Sequence, residues 1–251
     1  MRPNKRLGQH FLADLNILGR IADALELDSG DVVIEIGPGK GSLTEVLLAR
    51  GAKVIAIEKD RRLAEEPRGD AQVVQGDALK VDWHALVPDK STAFKVVGNI
   101  PYNITSPLIE KALTPPLPER IVFLVQLEVA RRIVAPPGSK TYGGLSIGVQ
   151  AQCRAEELFT VLPGSFRPPP KVKSALLRLT PLAEPLVRPD EVAALRAFVT
   201  ACFSKRRKQL HNAVPGATAA GLTALGFDPK ARPETLAPAD FVRLLRWSQQ
   251  L

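Results

Sequence analysis

The sequence predicts an α/β protein in which a doubly wound, mostly parallel sheet is followed by a small all-helical domain. Three observations support this fold class. Residues 32–50 have the pattern of a buried strand, a glycine-rich turn and a helix, which together form the first half of a nucleotide-binding βαβ unit. Further short apolar strands follow, and polar residues stand at their ends. Beyond residue 190 the apolar residues recur at helical spacing only.

The first strand and its glycine turn are the strongest local signal. Residues 32–36 are apolar apart from Glu35, as expected of a strand that is buried on both faces. Gly37, Gly39 and Gly41 follow at alternating positions. Glycine has no Cβ, so the backbone can turn sharply here and a ligand can approach closely. The spacing differs from the dinucleotide fingerprint, and a turn that only packs a helix on a strand is the alternative.

Two later strands end in acidic residues. Strand 53–58 ends at Glu58, at the place where doubly wound folds present a carboxylate to ribose hydroxyls. Strand 72–77 ends at Asp77, which can accept a hydrogen bond from an exocyclic amine such as adenine N6. A solvated acid is the alternative for Glu58. Asp77 can also cap the following helix, and its two roles are compatible.

The fourth strand, residues 93–98, leads into Asn99-Ile100-Pro101-Tyr102. In open α/β sheets, ligands bind beyond the carboxyl ends of the strands. All four signals found so far lie at such ends, so we expect them to meet at one edge of the sheet. The alternative for this tetrapeptide is a plain turn before the helix at residues 106–113.

Composition shifts at residues 181–189, where three prolines in nine residues indicate a linker. We therefore expect a ligand-binding domain over residues 1–181 and a helical domain over 190–251. Further strands are predicted at 121–127, 153–161 and 174–179. Further helices are predicted at 16–27, 42–50, 145–149, 190–214, 217–225 and 238–249.

The basic residues are the next feature. A formal net charge of +8 favours a polyanionic partner, although a basic surface can also serve solubility alone. The N-terminal arm, the lid-like loop 136–144 and the proline-stiffened loop 166–173 carry cations, as does the run 205–208. A frayed terminus, a rigid spacer with a core Phe166 and a solvated helix face are the alternatives. The candidate phosphate-binding residues are Arg2, Lys5, Arg6, Lys140, Lys171, Arg206, Arg207 and Lys208.

Several classes of protein are disfavoured. The sequence has no apolar run of about 18 residues, so we expect no transmembrane helix. The basic N-terminus lacks an apolar core, which argues against a secretory signal. Cys153 and Cys202 stand alone, without a CxxC motif or clustered histidines. We therefore expect a reducing compartment and no metal site.

Together these segments resemble the ribosomal RNA adenine N6-dimethyltransferase family, and most closely its small-subunit members. The matching segments cover nearly the whole chain in the order of the family. They are residues 8–12, 35–41, Glu58, 76–77, 99–102, 128–132, 140–143, 166–172 and 203–208. Two departures are mild: His10 stands where many members have Asn, and Ile100 where Leu is frequent.

The resemblance implies a class I methyltransferase fold with a Rossmann-like sheet of seven strands, and S-adenosylmethionine as cofactor. The residues that it implies for the cofactor site are His10, Leu12, Glu35, Gly37, Gly39, Glu58, Asp77 and Asn99. The residues implied for catalysis are Asn99, Ile100, Pro101, Tyr102 and Phe166. The basic residues named above become candidates for RNA binding, and the C-terminal helices become an RNA-binding domain.

The chemistry of methyl transfer to adenine suits these residues. The N6 amine is a poor nucleophile, and it is helped by positioning and by acceptors that favour tetrahedral geometry. The Asn99 side-chain oxygen and the Ile100 carbonyl can be those acceptors, and Pro101 cannot donate a competing N–H. Tyr102 and Phe166 are the candidates for stacking on an extruded base.

The resemblance thus implies dimethylation of two adjacent adenines near the 3′ end of 16S rRNA, in the immature 30S subunit. We expect a cytoplasmic monomer without membrane or metal partners. Two alternatives stay open. One is the related large-subunit methyltransferase, which shares the Asn-Ile-Pro-Tyr segment; the other is a non-catalytic RNA-binding factor on the same fold, which the intact cofactor residues disfavour.

Overall fold

The computed structural model describes residues 9–89, 92–204 and 208–250, and the chain divides into two compact units. Unit 1 consists of Met1–Leu113, Leu117–Ala130 and Glu156–Pro181. Unit 2 consists of Thr114–Pro116, Arg131–Ala155 and Leu182–Leu251. The last residue of unit 1 coincides with the predicted end of the first domain. The segment 131–155, however, belongs to unit 2 together with the C-terminal helices.

The strands confirm the predicted α/β fold. They are β1 (Phe11–Leu12), β2 (Val32–Ile36), β3 (Lys53–Glu58), β4 (Gln72–Gln75), β5 (Phe94–Asn99), β6 (Arg120–Gln126), β7 (Cys153–Val161), β8 (Phe166–Arg167) and β9 (Ser174–Pro181). Seven of them form one sheet in the order β4-β3-β2-β5-β6-β9-β7. Neighbours from β4 to β6 are parallel, whereas β9 is antiparallel to β6. Strands β1 and β8 form a separate antiparallel pair that the sequence did not predict.

Register brings the ends of the central strands level. Ile36, the last residue of β2, lies opposite Ile57 of β3 and Gly98 of β5. The next residues along these three strands therefore emerge side by side at the carboxyl edge of the sheet. Every residue of β2 is buried, which explains why its sequence is nearly continuous in apolar residues.

The helices match the predicted ones with shifted ends, except that the one over 190–214 is interrupted and that Arg61–Ala64 and Leu127–Ile133 were not predicted. They are α1 (Leu15–Ala24), α2 (Ser42–Ala49), α3 (Arg61–Ala64), α4 (Thr105–Ala112), α5 (Leu127–Ile133), α6 (Gly144–Gln150), α7 (Val192–Ser204), α8 (Leu210–Ala213), α9 (Ala219–Ala224) and α10 (Pro238–Ser248). Among the described residues, none of these helices is long and apolar enough to cross a bilayer.

The prediction of one helix over residues 190–214 is wrong. Helix α7 ends at Ser204, and Gln209, which precedes α8, has an extended backbone with φ −69° and ψ 159°. The apolar spacing continues across this interruption because Cys202 and Leu210 are both buried in the core of unit 2. Periodicity alone therefore could not detect the break.

The core of unit 2 also corrects the interpretation of the loop 136–144. Tyr142 is fully buried, and its hydroxyl donates to the carbonyl of Leu236 at 2.9 Å. Its ring meets Phe203 edge to face. This loop is therefore anchored at Tyr142 by the core, which does not fit the expected lid.

Candidate cofactor and active site

A cavity of about 160 Å³ opens at the carboxyl ends of the parallel strands in unit 1. Six of the eight predicted cofactor residues line it, namely His10, Gly37, Gly39, Glu58, Asp77 and Asn99. The predicted catalytic residues Ile100, Pro101 and Tyr102 line it as well. The expectation that these signals meet at one edge of the sheet is confirmed.

The glycine turn forms one wall of this cavity. Gly39 has φ +59°, and a Cβ at this position would lie 2.8 Å from the ring of Phe11. Only glycine satisfies both constraints without strain. The Gly39 N–H donates to Glu58 Oε2 at 3.2 Å, so the turn is tied to the end of the neighbouring strand.

Glu58 is a buried carboxylate held by backbone donors. Its side chain lines the cavity although the residue is only 5 % exposed. Oε1 accepts from the Asp60 N–H at 2.8 Å, in addition to the bond from Gly39. Burial raises the pKa of Glu58, and these two N–H donors oppose that rise. A carboxylate oxygen has room for a further donor, which is what a ribose hydroxyl offers.

Asp77 faces the cavity, and the helix that it was expected to cap as an alternative does not form, because residues 78–80 make a turn. Its Oδ1 accepts from the Leu79 N–H at 3.0 Å, as in a capped turn. Its Oδ2 accepts from Lys59 Nζ at 2.8 Å, and this bond lowers the pKa of Asp77. Asp77 therefore stays ionised and can accept from an amine.

Asn99, the last residue of β5, has its amide oriented by the N-terminal segment. Its Nδ2 donates to the backbone carbonyl of His10 at 2.7 Å. This bond commits the nitrogen and leaves the amide oxygen as the acceptor for a substrate. The following residue is fixed too, because the Ile100 N–H donates to the Leu124 carbonyl of β6 at 3.0 Å.

Tyr102 begins a short 3-10 helix beside Asn99 and is half-buried. Its hydroxyl shares a hydrogen bond of 2.7 Å with Ser174 Oγ at the start of β9. The ring of His10 lies nearly parallel to that of Tyr102, with centroids 6.0 Å apart. Burial raises the pKa of the Tyr102 phenol, so it stays neutral at physiological pH.

The structure contradicts the predicted stacking role of Phe166. Its side chain is 1 % exposed and belongs to the hydrophobic core with Leu12 and Leu18. The cause is the β1–β8 pair, in which Phe166 lies opposite Leu12 while the next residue, Arg167, is exposed. The ring has no face for a base, and the alternative of a core phenylalanine is the correct one.

Leu12 and Glu35 do not line the main cavity, although they were predicted there. Both border a smaller cavity of about 40 Å³ behind the glycine turn. Glu35 is 2 % exposed and accepts from Thr44 Oγ1 at 2.6 Å. Burial raises the pKa of Glu35 to about 7. Glu35 therefore holds the first turn of α2 through Thr44 and is closed off from the main cavity.

The predicted RNA-binding residues fall into two groups. Arg2, Lys5, Arg6, Arg206 and Arg207 lie outside the described residues. The other three, Lys140, Lys171 and Lys208, are exposed; Lys171 belongs to unit 1 and the other two to unit 2. Their role in RNA binding stays a prediction.

Three site features escaped the sequence analysis. Lys59 pairs with Asp77, Ser174 holds Tyr102, and Arg68 donates to the carbonyl of Gly39 at 2.6 Å. Lys59 could have been found, because it directly follows Glu58. The other two come from segments that approach the site only in the folded chain.

Within the part of the chain that the structure describes, no group of three or more His, Cys, Asp or Glu side chains could hold a metal ion. Both cysteines are buried, and burial raises the pKa of each thiol to about 12. Neither thiol is therefore activated as a nucleophile.

The donor set fits S-adenosylmethionine. The cavity has one carboxyl group at the end of β3 and another after β4, suited to a ribose diol and an adenine amine respectively. A Cβ at Gly37 would meet no atom within 4 Å, so the turn is open there, whereas the space beside Gly39 is occupied by the ring of Phe11. Asn99 adds an oriented amide oxygen next to these groups.

Comparison with known proteins identifies the family of the chain. Residues 1–250 match the model of a family described as ribosomal RNA adenine dimethylase. A protein of Pseudomonas aeruginosa named ribosomal RNA small subunit methyltransferase A is 44 % identical, over 97 % of this chain and 93 % of that protein. A protein of the same name from Nitratidesulfovibrio vulgaris is 45 % identical, over 97 % and 95 % of the two chains.

Two solved structures share most of the fold. A dimethyladenosine transferase from Plasmodium falciparum is 31 % identical with a TM-score of 0.81, and the match covers 96 % of this chain and 98 % of that one. The 23S rRNA methyltransferase ErmE is 29 % identical with a TM-score of 0.70, over 94 % and 98 % of the two chains.

Proposed function

Because the chain belongs to the ribosomal RNA adenine dimethylase family, a family of S-adenosylmethionine-dependent methyltransferases, we propose that it dimethylates N6 of two adjacent adenines near the 3′ end of 16S rRNA. The two small-subunit relatives named above are 44 % and 45 % identical, whereas the 23S rRNA enzyme is 29 % identical. The single observation that carries the chemistry is that Asn99 opens into the same cavity as Glu58 and Asp77.

Cofactor binding is assigned to the acids and the glycine turn. Glu58 accepts from the ribose hydroxyls and Asp77 from the adenine amine, while Gly37 and Gly39 let the ligand approach the backbone. When bound, S-adenosylmethionine supplies a methyl group on a sulfonium with a neutral leaving group. Such a donor is strongly electrophilic, so the protein need not supply a strong base.

The target amine is positioned by the segment 99–102. The Asn99 amide oxygen accepts a hydrogen bond from one N6–H and the Ile100 carbonyl accepts one from the other, which favours tetrahedral nitrogen as the new bond forms. The His10 carbonyl holds the Asn99 amide in the required orientation. Tyr102 supplies an aromatic face for the extruded adenine, and His10, whose ring lies beside it, replaces Phe166 as the nearest second ring.

RNA binding is assigned to the basic residues. The net charge of +8 supports contact with rRNA phosphates, through the N-terminal arm and the 205–208 run together with Lys140 and Lys171. Phosphate contacts give affinity without sequence preference, so selection of the target adenines falls to the cavity and to the shape of the particle. We infer that the protein acts as a monomer on the immature 30S subunit in the cytoplasm.

The test is transfer of tritiated methyl groups to 30S particles, 50S particles and free rRNA from a strain that lacks the modification. Label should enter the 30S particle as dimethyladenosine, and the Asn99→Ala variant should lose activity while binding the cofactor nearly as well as wild type. Label in 50S particles alone would assign the activity of the 23S rRNA relative instead. Binding of 30S particles without any transfer would indicate a non-catalytic factor.

A further inference from the structure

Arg68 is a buried cation that no motif of the sequence singles out. It lies between α3 and β4 and is only 6 % exposed. Its Nη2 donates to the carbonyls of Gly39 at 2.6 Å and Leu63 at 2.7 Å. Its Nε has no acceptor among the residues that the structure describes. Burying a guanidinium is costly, so such a residue needs a compensating role.

The guanidinium packs directly against the glycine turn. A Cβ at Gly41 would lie 2.7 Å from Arg68 Nη1, and Gly41 has φ +88°. The arginine therefore occupies the space that any side chain at residue 41 requires. Gly39 is in turn fixed from both sides, because its N–H donates to Glu58 and its carbonyl accepts from Arg68.

Charge is the second contribution of Arg68. The buried acids Glu35 and Glu58 both interact with its positive charge, which lowers the pKa of each carboxyl against the effect of burial. Asp60 opposes it at Glu58, where its negative charge raises the pKa. The other two charged side chains at the cavity, Lys59 and Asp77, form an ion pair, so their charges offset each other.

We propose that Arg68 is a positioning residue for S-adenosylmethionine: it holds the glycine turn through the Gly39 carbonyl and supplies the positive charge that acts on Glu58. This inference rests on the proposed role of Glu58 in cofactor binding. The guanidinium lies behind the turn and outside the cavity lining, so it acts through Gly39 and Glu58 rather than by touching the ligand.

A role in charge compensation has a pH signature that a purely structural role lacks. Without Arg68, a larger fraction of Glu58 is protonated near neutral pH, and a protonated carboxyl loses one acceptor site for the ribose hydroxyls. Cofactor affinity of an Arg68 variant should therefore improve as pH rises. Wild-type affinity should change less over the same range.

The experiment is calorimetric titration of S-adenosylmethionine into wild type, Arg68→Met and Arg68→Lys between about pH 6.5 and about pH 8.5. Arg68→Met should weaken binding about tenfold to a hundredfold at neutral pH, with a steeper pH dependence than wild type. Arg68→Lys keeps the charge but not the planar fork, so it should retain the wild-type pH profile with an intermediate affinity.

The matched control is Arg61→Met, which removes one positive charge from the neighbouring helix. Arg61 is exposed and pairs with Glu65 at 2.9 Å, so its loss should leave cofactor affinity unchanged. If Arg68→Met binds with wild-type affinity, or weakly but with the wild-type pH profile, the positioning role through Glu58 is wrong. Failure of wild type to bind the cofactor at all would instead refute the proposed site.

A second variant keeps the test decisive if Arg68→Met does not fold. Glu35→Gln with Arg68→Met removes one acid and one cation from the same buried group, so the charge of the group changes less than in Arg68→Met alone. Compared with Glu35→Gln alone, this double variant should still bind the cofactor about tenfold or more weakly and with a steeper pH dependence. Equal binding by the two would overturn the proposal.

Discussion

Two buried carboxylates of similar exposure, Glu58 in unit 1 and Glu191 in unit 2, have opposite surroundings. Glu58 is 5 % exposed and its direct partners are the N–H groups of Gly39 and Asp60. Glu191 is 4 % exposed and is held by two guanidinium groups, those of Arg246 and Arg188, each at 2.9 Å. The pKa of Glu58 is raised by burial, whereas hydrogen bonds from Arg246 lower the pKa of Glu191 to about 2.

This difference in partners distinguishes a carboxylate that can bind a ligand from one that stabilises the fold. An acid held only by neutral donors retains acceptor capacity and gains from a ligand that donates to it. An acid that is fully paired with arginine contributes to folding and has little left to offer. The same separation holds among the aromatic side chains, since Tyr102 lines the cavity while Phe166 lies in the core.

The largest expected effect extends the comparison to that aromatic pair. Phe166→Ala should destabilise the protein by about 3–5 kcal/mol, because it leaves a cavity in a core where the ring is fully buried. Phe166→Leu refills most of the volume and should cost about 1 kcal/mol. Chemical denaturation measures both. A stable Phe166→Ala variant with reduced methyl transfer would restore the stacking role that the structure contradicts.

The second prediction concerns Glu35, the other buried acid of unit 1. Its folded pKa of about 7 exceeds the ordinary value of 4.5, so the folded state binds the proton more tightly than the unfolded state does. Stability should therefore fall as pH rises from 4.5 to about 7, by about 3 kcal/mol from this group. Glu35→Gln should remove that slope in denaturation curves measured across this range. A slope unchanged in the variant would assign it to other groups.

The third prediction concerns Glu191 in unit 2, whose pKa is shifted in the direction opposite to that of Glu35. The folded pKa of Glu191 is about 2, below the ordinary 4.5, so its contribution is complete above pH 4.5 and is lost as pH falls towards 2. Glu191→Gln should destabilise the protein by about 2 kcal/mol at neutral pH, the scale of hydrogen bonds to a charged group. Cofactor affinity should not change. A variant as stable as wild type at neutral pH would show that the arginine pairs contribute nothing.

The smallest expected effect concerns the support of Tyr102. Ser174→Ala removes the partner of the phenol and should cost about 1 kcal/mol in the transfer reaction through a less well-held ring. The loss should appear in turnover with 30S particles and not in the calorimetric affinity for S-adenosylmethionine. Ser174→Thr keeps the hydroxyl and is the matched comparison. Equal turnover of Ser174→Ala and wild type would mean that the hydrogen bond has no influence on the ring.

Much of unit 1 was predictable from sequence because parallel strands bring their carboxyl ends to one edge. Glu58, Asp77 and Asn99 are far apart in the chain, yet each stands at or just past the end of a recognisable strand, and the register brings these ends to one edge of the sheet. The fold class and these cavity-lining positions therefore follow from local patterns. No long-range contact had to be guessed.

The remaining features depend on contacts that carry no local pattern. Strands β1 and β8 have two residues each, which is too short for alternation to reveal that Phe166 points inwards. Arg68 stands in a polar stretch, and its burial arises from the approach of that stretch to the glycine turn. In unit 2, the apolar spacing spans the break before α8, because residues on both sides face one core.

The central claim is that Glu58 binds the ligand whereas Glu191 stabilises the fold. The most direct test is the free energy of unfolding, measured with and without S-adenosylmethionine. At a ligand concentration about one hundred times the wild-type Kd, wild type should gain about 2.7 kcal/mol of stability. Glu191→Gln should start less stable and gain the same amount. Glu58→Gln can accept only one of the two backbone N–H bonds, so it should start less stable than wild type and gain only about 1 kcal/mol. A full gain in Glu58→Gln, or its loss in Glu191→Gln, would contradict the account.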